Sequence, residues 1–314
     1  MEYEKIKKNR KNFLSNTSLE VEEFEYLLEH FTPIWENYYR HYTTEGKKRK
    51  IISHTEHKSA LLQTTPQKLF FLLVYLKNNP LQTFQAAIFN VSQSKVSKIT
   101  SILLKILDQT LAKMNLSPCR DGAQLQHLLH EHPTKTFTYD GMERGIQRNT
   151  DIEAQKEDYS GKKKTHCIKN NILCDDAQYI HYLSPTENGT MHDKKIADEY
   201  PMLLPKGSIL RQDTGFIGHN PVDIIVEIPF KKPRKKELSF SQLLYNQMLS
   251  PLRVVIEHVN SGIKRLRMLK DTIRLKETMK RDMVIAVACA LHNFRTLSPS
   301  RNYKPFKPLL SFSE

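Results

Sequence analysis

The apolar residues of this chain change their period along its length. From residue 64 to 114 they recur at helical spacing. From residue 135 they alternate in short runs, and after residue 239 the helical spacing returns. A chain written this way predicts an all-helical head followed by an α/β domain.

In the head, FEYLLEHFTPIWENYYRHY (24–42) predicts a helix that Pro33 breaks. Thr65 and Pro66 read as the N-cap and first residue of another helix, with Leu69, Leu72, Leu73 and Leu76 at helical spacing and Pro80 ending it. LQTFQAAIFN (81–90) predicts a short helix, NVS (90–92) a tight turn, and SQSKVSKITSILLKIL (92–107) a longer helix. Ala86 and Ala87 are small where the two helices would cross, and Val91, Val96 and Ile99 face inward. Gln93, Ser94, Lys95, Ser97 and Lys98 face out at the helix start, where a helix-turn-helix meets base edges and phosphates. The same pattern suits an ordinary three-helix packing unit. Charge favours DNA: 48 Lys and Arg against 34 acids give a net +14 and a pI near 9.4.

Beyond a linker at 115–134, strands are expected at 135–140, 162–176, 177–185, 207–213 and 222–230, with a hairpin turn at Asp175–Asp176. Helices are expected from His192 to Pro201, at 239–250, at 251–269 and at 277–297. The four cysteines (119, 167, 174 and 289) form no CxxC pair and no Cys/His set with zinc spacing, so neither a disulfide framework nor a zinc site is expected. No apolar run approaches the ~18 residues of a membrane span, and MEYEKIKKNRK lacks a signal core. These features predict a soluble protein that stays inside the cell.

Three acids stand out. Asp140 and Asp213 each end an expected strand beside small residues, where open α/β sheets place their chemistry, though either alone suits a turn or cap. Glu257 lies in PLRVVIEHVNSGIKRLRML (251–269). At about 100° per residue, Val255, Val259, Ile263 and Leu266 share one face, and Arg253, Glu257 and Lys264 fall within an arc of roughly 40° on the other. Taken alone, Glu257 reads as a member of a surface ion pair worth ~0.3–0.5 kcal/mol.

The order of motifs resolves this. YDGMERGIQRNTDIEAQKEDYSGKKKTHCIKN (139–170), RQDTGFIG (211–218), MHDKKI (191–196) and the Arg253, Glu257, Lys264 spacing together resemble the DDE transposases of the insertion-sequence-five group, which are related to the Harbinger type. The resemblance runs from about residue 60 to 297, with a helix-turn-helix where that family has one. It implies an α/β, ribonuclease H-like catalytic domain at 135–297, preceded by an N-terminal helical region (1–62), a helix-turn-helix domain (63–114) and the linker, and followed by a loose tail (298–314).

It also implies that Asp140, Asp213 and Glu257 are the catalytic acids and hold divalent metal. Mg²⁺ or Mn²⁺ suits hard carboxylate oxygens. Two such ions about 3.5–4 Å apart would serve DNA cleavage and strand transfer, with Asp140 bridging them. Arg253 and Lys264 would hold DNA phosphates. Gln93, Ser94, Lys95 and Lys98 would contact the element ends, and His192 and Asp193 would support the acids. Lys162, Lys163 and Lys164 are open to two readings, solvated edge charges or a DNA track. The implied partner is double-stranded DNA, bound by a homodimer in the cytoplasm, at the nucleoid. The sequence departs from the family at Ser250, where the family has Tyr. A catalytically silent DNA-binding descendant, and a nuclease that cuts without joining, are the alternatives.

Overall fold

The computed structural model describes residues 1–44, 46–53, 62–132, 135–234 and 236–299 of the 314-residue chain. Most of the expected tail lies outside them. The chain divides into two compact units. The first comprises 1–117, 264–271 and 275–291, and the second 118–263, 272–274 and the residues from 292 on.

The first unit contains α1 (Tyr3–Lys7), α2 (Arg10–Thr17), α3 (Val21–His41), α4 (Thr65–Asn78), α5 (Gln82–Phe89) and α6 (Gln93–Lys113). Helix α4 is apolar on every side, and every residue from Lys68 to Leu76 is buried, so it forms the centre of the unit. Its N-cap is Thr64, one residue earlier than expected, and the Thr64 hydroxyl accepts from the Gln67 amide at 3.3 Å. Buried Lys68 stays tolerable because its ammonium donates to the Leu62 carbonyl at 2.7 Å and stands 5.1 Å from the Trp35 ring centroid.

Pro33 does not break α3, contrary to expectation. A proline costs a helix ~3 kcal/mol, but Phe31, Ile34 and Trp35 around it are buried, and each such side chain contributes roughly 1.5–3 kcal/mol. Burial outweighs the lost hydrogen bond.

The second unit begins with a 3₁₀ turn and α7 (Leu125–Leu128), followed by β1 (Thr136–Gly145), α8 (Ile152–Asp158), β2 (Tyr159–Ser160), β3 (Thr165–Asp175), β4 (Ile180–Leu183), β5 (Glu187–Asn188), α9 (Asp193–Glu199), β6 (Ile209–Gln212), β7 (Ile225–Glu227) and α10 (Phe240–Ile263). Strand β1 is central, antiparallel to β3 and parallel to β6, which is in turn parallel to β7. Strands β4 and β5 pair with the far side of β3. This mixed sheet with helices agrees with the ribonuclease H-like expectation. One face packs Phe137, Tyr139, Leu173, Tyr182, Leu210 and Phe216 into a core with Ala197 of α9. Helix α10 also packs against β1.

Helix α10 corrects a second expectation. The sequence suggested two helices meeting at Pro251, but one helix passes through it. Leu249, Ile256, Val259 and Ile263 are buried and form a single stripe across the proline, so the register is worth keeping. The chain then forms α11 (Arg267–Lys270), which packs on α4, and α12 (Thr278–Leu297). No described helix is long and apolar enough to cross a membrane.

Candidate functional site

The register of β1 and β6 sets the site. Their last parallel pair is Tyr139 with Gln212. The next residues, Asp140 and Asp213, therefore leave adjacent strands at the same level, and neighbouring strands lie about 4.8 Å apart. Asp140 does not end its strand as expected, because β1 continues to Gly145 through its pairing with β3. It ends only the parallel pairing. Asp213 follows β6 directly and caps a 3₁₀ turn, its Oδ1 accepting from the Thr214 amide at 2.6 Å.

Side chains alternate along a strand. Tyr139 points into the core, so Asp140 points to the opposite face. From α10, Asn260 Nδ2 donates to Asp140 Oδ2 at 3.2 Å and Arg253 Nη2 stands 3.2 Å from Asp213 Oδ1. Glu257 lies between these two residues in sequence, at i+4 from Arg253 and i−3 from Asn260. It therefore shares the helical face that reaches both aspartates, and its side chain is exposed.

The electrostatics are those of crowded negative charge. Burial pushes the Asp140 carboxyl up to about 6; the Gly141 amide and Arg253 pull it down, and the charges of Asp213 and Asp193 push it up further. Asp193 is the first residue of α9, and its carboxyl is also raised, chiefly by burial, with Lys169 opposing. It lies against the strand because Gly141 leaves room. A Cβ at Gly141 would stand 2.5 Å from Asp193 Cγ, whereas one at Gly215 would stand 3.6 Å from Asp193 Oδ2. Lys169 Nζ bridges Glu143 Oε1 at 3.2 Å and Asp193 Oδ1 at 3.8 Å, and Asn171 Nδ2 donates to the Asp193 carbonyl at 2.8 Å.

Asn260 Oδ1, on the α10 side of the strand, is buried with no hydrogen-bond partner among the described residues. An unmatched oxygen beside a carboxylate whose charge is disfavoured suits a hard divalent cation.

The remaining expected residues are placed as follows. His192 is exposed at the N-cap position of α9 and makes no side-chain cap. Lys264 lies one residue beyond α10, in a segment grouped with the first unit. Gln93, Ser94, Lys95 and Lys98 are exposed on the first turns of α6, above buried Val96 and Ile99. Gln93 Nε2 donates to Gln82 Oε1 at 2.6 Å, tying α6 to α5. Ala86 is buried as expected, but Ala87 is exposed. Lys162, Lys163 and Lys164 are exposed at the turn between β2 and β3. The sequence reading missed Asn260 and Lys169. The helical phase that grouped Arg253 with Glu257 also includes Asn260, whereas Lys169 carried no signal until β3 was registered against Glu143.

Residues 139–293 match the family described as DDE superfamily endonuclease, and residues 62–113 match the helix-turn-helix of DDE superfamily endonuclease. The chain belongs to the DDE superfamily. Both matched regions of this DDE-superfamily chain carry the features described above, the exposed polar start of α6 in one and the paired aspartates with α10 in the other. A probable transposase for insertion sequence element IS702 from Microchaete diplosiphon is 28% identical over 122 residues, covering 39% of this chain and 44% of that protein. The chain thus spans less than half the length of that relative. No solved structure matches. Divalent metal use goes with the superfamily, and the donor set at Asp140 and Asp213 fits it.

Proposed function

We propose that this chain is a transposase that binds the terminal inverted repeats of an insertion sequence through α5 and α6, cuts the DNA there and joins the 3′ end to a target. The observation that carries this reading is the way α10 spans the two aspartates, with Arg253 at Asp213 and Asn260 at Asp140; Glu257 lies between those two residues along the helix. In this reading Asp140, Asp213 and Glu257 hold the metal. Two Mg²⁺ or Mn²⁺ ions would supply activation of the attacking hydroxyl and stabilisation of the leaving oxygen. Arg253 and Lys264 hold phosphates, Arg253 by its planar fork. Lys169 holds Asp193 in place beside Gly141, and Asp193 fixes the strand that carries Asp140. His192 stands at the rim. Two element ends must meet, so the working form is a homodimer on double-stranded DNA in the nucleoid.

The test is an assay of element-end DNA with the full chain and Mg²⁺. Cleavage followed by joining of a pre-cut end supports the proposal. Cleavage without joining makes the protein a nuclease, and binding without cleavage makes it a silent end-binder.

Two further outcomes are expected. Gly141→Ala drives a methyl group into Asp193 and shifts β1 or α9, and displacements of about 1 Å cost on the order of a hundredfold in rate. Gly215→Ala makes only ordinary contact and stays within a few-fold of wild type. Equal losses in both variants, read by initial cleavage rates, would contradict the geometry. On α6, Lys95→Ala lowers affinity on all sequences and reduces the slope of log affinity against log salt by about 1, as loss of one phosphate contact does. Gln93→Ala weakens binding to the cognate end more than to random DNA. Salt-dependent binding curves on both DNAs separate the two effects.

A further inference from the structure

A second donor cluster lies in the same unit, on residues the proposed function does not use. His132 comes from the segment between α7 and β1, Asp175 is the last residue of β3, and His181 is on β4. The cluster was invisible as a motif, because His132 lies far in sequence from the β3–β4 hairpin that carries Asp175 and His181, and no cysteine is among them. One oxygen, Asp175 Oδ2, stands 2.9 Å from His181 Nε2 and 3.3 Å from His132 Nε2, and one donor atom from each residue lies within 4.8 Å of the others. The other oxygen, Oδ1, accepts from the Tyr179 amide at 2.9 Å, which orients the carboxylate. The imidazoles meet edge to face at 4.7 Å, and the Phe137 ring packs against both, at 5.7 and 5.8 Å. All three polar side chains are nearly inaccessible, with side-chain exposures of 4%, 2% and 8% for His132, Asp175 and His181.

We propose that His132, Asp175 and His181 form a structural site for a borderline transition-metal ion, Zn²⁺ foremost. Two imidazole nitrogens and one carboxylate oxygen make a donor set that zinc favours and magnesium does not. Tetrahedral zinc with bonds of about 2.0–2.1 Å separates its donors by roughly 3.3 Å. The Asp175–His132 spacing already meets this value, and His181 needs to retreat by a few tenths of an ångström. The ion would clip the segment before β1 to the ends of β3 and β4. Phe137, which roofs the site, is paired with Asp175 three residues before Asp140, so the clip would fix the root of the strand that carries that acid.

The test uses the full chain, stripped by a chelator and titrated with Zn²⁺ or Co²⁺ in excess Mg²⁺. One equivalent of Zn²⁺ is expected to bind, and Tm is expected to rise with its concentration. With water as the fourth ligand, Co²⁺ is expected to show the visible bands of a four-coordinate site with no thiolate charge-transfer band. His132→Gln and His181→Gln each weaken binding by about a hundredfold or more, since even outer-shell changes cost 10–100-fold. Asp140→Asn keeps the equivalent. Binding of no equivalent, retention by both histidine variants, loss in Asp140→Asn, or a thiolate band would each overturn the proposal. The Co²⁺ spectrum of the wild-type chain decides the matter even if a histidine variant fails to fold.

Discussion

Asp140→Asn is expected to abolish DNA cleavage and, at the same time, to make the metal-free protein more stable. The second effect follows from the Asp140 carboxyl, which is raised from 3.8 to about 6, mainly by burial and also by the charges of Asp213 and Asp193. A folded-state value above the unfolded one means that the folded protein binds the proton more tightly. Stability from this group is therefore fully present below about pH 4, declines as pH rises to about 6, and stays reduced above that. Two pH units correspond to a penalty on the order of 3 kcal/mol at neutral pH. Asparagine keeps the shape, removes the charge and still offers an oxygen to Asn260. Cleavage should fall by at least about a thousandfold, because metal-assisted stabilisation of the developing charge is worth several kcal/mol.

Mg²⁺ should reverse the order of stability, raising the Tm of wild type and leaving that of the variant unchanged. Thermal melts at pH 7 and pH 4.5, with and without Mg²⁺, check each part. A variant less stable than wild type at pH 7 without metal would mean that Asp140 is a structural residue. A site that costs the apo fold free energy in return for chemistry is the usual balance of function against stability.

Much of the fold was legible because local chemistry and burial agree. Thr64 to Pro66 starts α4, and Asn90 in the left-handed region makes the turn between α5 and α6. The alternation at 135–140 gives the first part of β1, and the turn after Asp175 gives a hairpin. The errors came where burial overrode a local rule. Pro33 and Pro251 both lie inside helices whose apolar stripes continue across them. The alternation of KTFTYD stops at Asp140, before Gly141, and so predicts a strand end there. That glycine instead makes space for Asp193, a contact that no sequence pattern announces.

The candidate site was legible in part for the same kind of reason. Helical phase puts Arg253 and Glu257 on one face of α10, and the apolar stripe keeps the other face buried. Register is not readable from one chain, so the level meeting of Asp140 with Asp213, and of Glu143 with Lys169, had to come from strand pairing. The His132, Asp175 and His181 cluster depends on the segment before β1 closing on the β3–β4 hairpin, which spacing along the chain does not encode.

Glu257 carries the most direct test, because its place among the acids rests on the face it shares with Arg253 and Asn260. The decisive measurement is cleavage of element-end DNA by Glu257→Gln at saturating Mg²⁺, with binding of the same DNA measured in parallel. A fall of at least about a thousandfold in cleavage, with affinity for the DNA held within a few-fold, is the predicted result. Cleavage within about tenfold of wild type would contradict the account, since an exposed glutamate on a helix surface would then be only half of an ion pair.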